Sequence, residues 1–193
     1  MINAKGKTAE FLKSLRNALK PKTVFILVAG IFVIALLGRN LKDVALVALL
    51  AVMASYSTVY KRIIRVSGAV ELVTLGTVII GAAYGPVLGA VFGVVTTLAA
   101  GITSTGFNAF TALSALARGI SGAVSFYMSG TLSITGLGML SVLIENVIYQ
   151  PIYLLSGDVE AKLSSAYYAV VNTLFNFMVF SFFGELLLKF ARF

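Results

Sequence analysis

The chain contains no cysteine and no histidine. Their absence excludes thiolate and imidazole metal sites, histidine-ligated haem, and catalysis that needs a Cys or His nucleophile or base. There is no tryptophan either, so no ligand clamp can be built from indole rings. Charge is scarce as well. Charged residues make up 11% of 193 positions, whereas a soluble domain carries roughly 25%. So few charges cannot solvate the outside of a domain this large, and the remaining apolar surface must face lipid. The hydrophobic share of 59% and a mean hydropathy of +0.99 agree with that. A transmembrane β-barrel would alternate polar and apolar residues in segments of about ten. Residues 24–37 are instead apolar at nearly every position, and residues 132–143 hold no charge, with only Ser, Thr and Gly among the apolar residues. The chain is therefore expected to be an all-α membrane protein.

What is present begins with a basic segment. The net charge of +8 sits largely between Lys5 and Lys22. Residues 1–22 are read as a basic tail, a cytoplasmic anchor obeying the positive-inside rule rather than a nucleic-acid binder. Phe11, Leu12, Leu15 and Leu19 share a helical face there, which suits an amphipathic helix on an anionic membrane surface. Residues 23–40 hold an extra apolar segment. Its apolar core, residues 24–38, is shorter than the roughly 20 residues a spanning helix wants, so it spans, re-enters or lies in the interface. Gly38-Arg39-Asn40 follows it, with no small-x-small cleavage site, and the segment is expected to be retained. Lys/Arg bias does not fix the topology. With the N-terminus cytoplasmic, the inside carries ten cations and the outside four whether or not residues 24–38 span, with Arg118 left out because it lies within a helix.

Residues 41–193 read as a bundle of six transmembrane helices. They are expected over 43–60, 69–83, 86–102, 107–128, 134–155 and 163–190. The turn Tyr84-Gly85-Pro86, Gly130 and Ser156-Gly157-Asp158 mark breaks between them. Gly81, Gly85, Gly89 and Gly93 recur every four residues and predict close helix packing. Ala45, Ala48, Ala51, Ala54 and Ser55 form a stripe of small residues. It is expected to be a docking face for a neighbouring helix or for another subunit. Phe175, Phe177, Phe180, Phe182 and Phe183 surround the last helix and read as lipid-facing and packing residues.

Polar residues inside apolar helices are the most informative, because they are costly at membrane depth and mark sites or pathways. They are Arg118 on the fourth helix, Glu145, Asn146, Tyr149 and Gln150 on the fifth, and Asn172 and Asn176 on the sixth. Spacing of four puts Glu145 with Tyr149, Asn146 with Gln150, and Asn172 with Asn176 on shared faces. Two readings stand. These residues bind a small polar ligand, or Arg118 and Glu145 form an internal ion pair that holds helices together. Pro151 would free a backbone carbonyl nearby, which suits a polar cavity. Glu71, at the start of the second helix, is expected to be a solvated interfacial carboxylate. An intramembrane enzyme would need a nucleophile and a base in one cavity. Only hydroxyls and isolated carboxylates are on offer, so no enzymatic activity and no cofactor are expected.

The six helices, the Ala-rich first helix, the Ala82–Gly93 stretch within GAAYGPVLGAVFGVV and the segment ALARGISGAVSFYMSG over 115–130 together carry a resemblance. They resemble the substrate-binding S-components of energy-coupling factor (ECF) transporters, the membrane subunits of vitamin uptake. The resemblance covers residues 42–190. It implies a subunit in the cell membrane that captures a vitamin-like small molecule between its fourth to sixth helices, at Arg118, Glu145, Asn146, Tyr149, Gln150, Asn172 and Asn176. It also implies docking through the first helix to a membrane coupling subunit, with ATP hydrolysed on separate ATPase subunits, since this chain has no Walker motif. The chain departs from the family in two respects. Its first-helix alanines fall three apart rather than four, and the segment over 24–38 is additional. The alternative function is a structural or assembly subunit of a larger membrane complex, with no ligand of its own.

Overall fold

The structure, a computed structural model, describes residues 40–62, 70–104, 109–156 and 159–193. The basic tail and the apolar segment over 24–38 lie outside the described residues. Helix α1 runs over Leu41–Tyr56 and is followed by a 3-10 turn at Val59–Arg62. Then come α2 (Val73–Tyr84), α3 (Pro86–Thr103), α4 (Ala109–Met128), α5 (Ile134–Ser156) and α6 (Val159–Val179). A π turn at Phe180–Gly184 carries α6 directly into α7 (Glu185–Arg192), so the two form one rod. The described residues thus make six helical rods and no strand.

The rods alternate in direction. Glycine chemistry makes the turn between α2 and α3: Gly85 has φ 114° and ψ 165°, a region essentially closed to other residues. Its N–H donates to the Gly81 carbonyl at 3.1 Å, and its own carbonyl accepts from the Gly89 N–H at 3.0 Å. Pro86 opens α3, where a missing N–H costs nothing. A Cβ on Gly85 would meet nothing within 4 Å. Gly85 therefore serves the turn and not the packing face to which its spacing had assigned it.

The other three glycines do pack. Gly81, Gly89 and Gly122 stack α2, α3 and α4 so closely that a Cβ on any of them would run into backbone of another. Gly93 lies against the Arg118 carbonyl in the same way. Around this seam the inside is unusually polar and the outside unusually apolar. Glu145, Asn172 and Asn176 are each 0% exposed, whereas Leu116, Leu143, Leu163, Leu174 and Phe182 face outward. Water-soluble folds show the reverse. Three helices, Leu41–Lys61, Pro86–Thr103 and Lys162–Arg192, are long and apolar enough to cross a membrane. Helix α2 is apolar but only 12 residues long.

The small-residue stripe of α1 divides between two faces. Ala51, Ala54 and Ser55 are buried, on a helix that packs on α2 and α3. Ala45 and Ala48 point outward with Leu49, Val52, Met53 and Tyr56. On the last rod, the π turn brings Phe180 inward against Gly138, while Phe177, Phe182 and Phe183 stay exposed.

Candidate functional site

The ends of α1, α3 and α5 and the starts of α2, α4 and α6 gather at one end of the bundle. There they line a half-open cavity of about 220 Å³, far more than the ~15 Å³ one water needs. Every rod contributes to the wall: Lys61 from the 3-10 turn, Glu71 just before α2, Thr97 from α3, Arg118 from α4, Gln150 from α5 and Tyr168 from α6.

Arg118 organises the floor. It is 4% exposed, so its charge must be met inside the protein. Its Nε donates to Glu145 Oε1 at 3.2 Å and its Nη2 to Glu145 Oε2 at 3.4 Å, a two-pronged grip. Nη2 also pairs with Glu71 Oε1. Nη1 donates to Thr97 Oγ1 at 3.4 Å. Thr74 adds a hydroxyl donor to Glu145 Oε1 at 3.0 Å. One guanidinium therefore faces two carboxylates, and α2, α3, α4 and α5 are tied together through the cluster it forms.

Of the expected site residues, Arg118, Tyr149 and Gln150 line the cavity. Gln150 is fixed by Ser165, whose Oγ donates to Gln150 Oε1 at 2.9 Å, and Gln150 Nε2 donates to the Ser165 carbonyl at 3.3 Å. Glu145 sits behind Arg118 and is not on the wall. Asn146, Asn172 and Asn176 are not on the wall either. Asn146 donates to the Val142 carbonyl of its own helix at 2.9 Å. Asn176 Nδ2 donates both to the Asn172 carbonyl (2.9 Å) and to Asn172 Oδ1 (2.7 Å). That pairing leaves Asn172 Nδ2 and Asn176 Oδ1 buried without a partner among the described residues. Helix α5 continues through Pro151, whose ring is exposed.

Sequence reasoning missed Glu71, Lys61, Thr97 and Tyr168. Glu71 is 4% exposed and paired with Arg118, which corrects the expectation of a solvated interfacial carboxylate. One signal could have found it: a buried Arg in a chain with only seven acidic residues strongly restricts the candidates for its partners. Lys61 and Tyr168 carry no such mark, since a Lys closing an apolar helix and a Tyr in its first turns both read as interfacial. Such a floor can anchor a polar molecule among fixed donors and acceptors while its ion cluster stays charge-compensated. Comparison with known protein families, with curated proteins and with solved structures finds no match for this chain.

Proposed function

We propose that the chain is a membrane-embedded substrate-capture subunit, an S-component of an ECF-type importer for a vitamin-like or other small polar molecule. In this reading all six rods span the cell membrane and no reaction is catalysed. The observation that carries it is the cavity. A polar, charge-lined pocket at one end of an otherwise apolar-coated bundle is where a capture subunit would take its ligand. Arg118, Tyr149 and Gln150 are the expected contacts from the polar set, with Lys61, Glu71 and Tyr168 added by their position. The outward face of α1, with Ala45 and Ala48 among larger apolar residues, is the expected docking surface for a membrane coupling subunit.

A second reading has its own observation. Arg118 is already engaged by Glu71, Glu145 and Thr97, as in a cluster that only joins helices. That favours a structural subunit of a larger membrane complex.

Purification of the tagged protein from its native membrane in mild detergent separates the two. An ATPase pair with a second membrane subunit, or a bound vitamin-sized molecule, is the expected result on mass spectrometry. Abundant partners of another kind without a small molecule would replace the capture reading with the structural one.

A further inference from the structure

The charges around the cavity restrict what can enter it. Arg118 faces two carboxylates, so the Arg118–Glu71–Glu145 cluster carries one negative charge in excess. Lys61 lines the same cavity and forms no ion pair among the described residues. Its ammonium is one positive charge in excess, and the four groups together sum to zero. An ion of either sign entering alone would upset that balance beside Glu71, Arg118 and Glu145, which are themselves buried, where an uncompensated charge is expensive. A molecule carrying one charge of each sign would preserve it and would answer both local excesses.

Resting on the capture reading, the geometry points to a small zwitterion as the ligand class, with its anionic group on Lys61 and its cationic nitrogen toward the carboxylate-rich Glu71 side. Arg118 is a positioning residue here rather than the anion receptor: its Nε, Nη1 and Nη2 are all engaged within the protein. Gln150 and Tyr168 supply polar contacts between the two charged ends. The volume of about 220 Å³ lies below the ~300–1,000 Å³ of drug-sized sites, which suits a ligand of amino-acid size.

The test uses the full chain in mild detergent and three probe pools built on the same uncharged side chains. Free L-amino acids are zwitterions, N-acetyl amino acids are anions and amino acid methyl esters are cations. Thermal unfolding is followed with each pool, and any molecule that co-purifies is identified by native mass spectrometry. The free amino acids are expected to raise the unfolding temperature and the other two pools to leave it unchanged. Lys61→Met is expected to weaken binding of the active amino acid by roughly tenfold or more, and Lys61→Arg to retain most of it. A co-purified zwitterion of another kind would support the assignment even if no pool stabilises the protein. Stabilisation by the acetylated or esterified pool, or a co-purified polar molecule that is not a zwitterion, would overturn it and leave the capture reading standing. No stabilisation by any pool and no co-purified molecule would overturn it too, and the capture reading would fall with it only if the co-purified partners are not an ATPase pair with a membrane subunit.

Discussion

Helices α2, α3 and α4 meet twice, and the two meetings use opposite chemistry. Toward the Gly85 turn they touch through Gly81, Gly89 and Gly122, backbone against backbone with no side chain between them. Toward the cavity the same helices, with the residues just before α2, present Glu71, Thr97 and Arg118 to one another. The first contact rests on dispersion between surfaces that fit, and it works because nothing protrudes. The second rests on charges that must cancel, and it works because every group on the guanidinium finds a partner. A close-packed end can hold the helices in register while the polar end keeps a cavity between them. The glycine seam is thus a means of building the site, although no glycine of the seam lines it.

The largest expected effect comes from the charged end. Arg118→Met strands two buried carboxylates, and loss of one member of such a cluster costs about 3–5 kcal/mol. Denaturant or thermal unfolding in mild detergent should register that drop. Replacing all three charges together (Arg118→Met with Glu71→Gln and Glu145→Gln) should return most of the stability, because no charge is then left alone. If the single variant unfolds like the wild type, the cluster does not hold the helices and the contrast between the two ends fails.

The glycine end should break by crowding instead. Gly89→Val drives a Cβ into the Gly81 Cα and the Gly122 carbonyl and adds two methyl groups beyond it. Overpacking of this kind costs about 1–3 kcal/mol, and backbone, unlike a flexible side chain, has little freedom to yield. Gly130 supplies the control, since a Cβ there meets nothing within 4 Å. Gly130→Ala should leave the unfolding midpoint where it was. Equal losses in the two variants would mean that glycine content alone, rather than the seam, sets the stability of this end.

Much of this architecture was legible because two signals are local. Apolar runs of helical length gave the rods, and the Gly-Pro turn gave the break between α2 and α3. The ends were less legible. Helix α2 starts at Val73 rather than near 69, because the Leu72 N–H is held by Ser57 Oγ at 3.1 Å, a contact from a distant segment. Helix α6 starts at Val159 rather than 163, with Glu160 in its first turn, where a carboxylate favours the helix dipole. The site was half legible for a similar reason. Periodicity says which face of a helix a residue occupies, but not how far along the bundle a cavity reaches. Asn172 and Asn176 are on the inner face as expected, yet they lie one and two turns beyond Tyr168 and miss the cavity. Glu71 adjoins a loop, and the sequence there looks the same whether the loop is solvated or folds its carboxylate onto Arg118.

The smallest expected effect tests whether polar contacts matter for where they lie or simply for being polar. At the end opposite the cavity, Tyr84 Oη donates to Asp43 Oδ1 at 3.1 Å, joining the close of α2 to the start of α1. Nearby, Arg192 Nη2 donates to the Ala82 carbonyl at 3.2 Å, and Lys42 lies over the Phe190 ring at 4.9 Å. These contacts tie the same end by several routes, and Asp43 is only half-buried, so water can replace the lost hydroxyl. Tyr84→Phe keeps the ring and its packing and removes only the donor. It should therefore cost about 0.5–1.5 kcal/mol, a small shift of the unfolding midpoint beside that of Arg118→Met. A loss as large as that of Arg118→Met would show that the Asp43 carboxylate is as dependent on one partner as Glu71 and Glu145 are. The distinction between a charge-critical end and a redundantly tied end would then have to be abandoned.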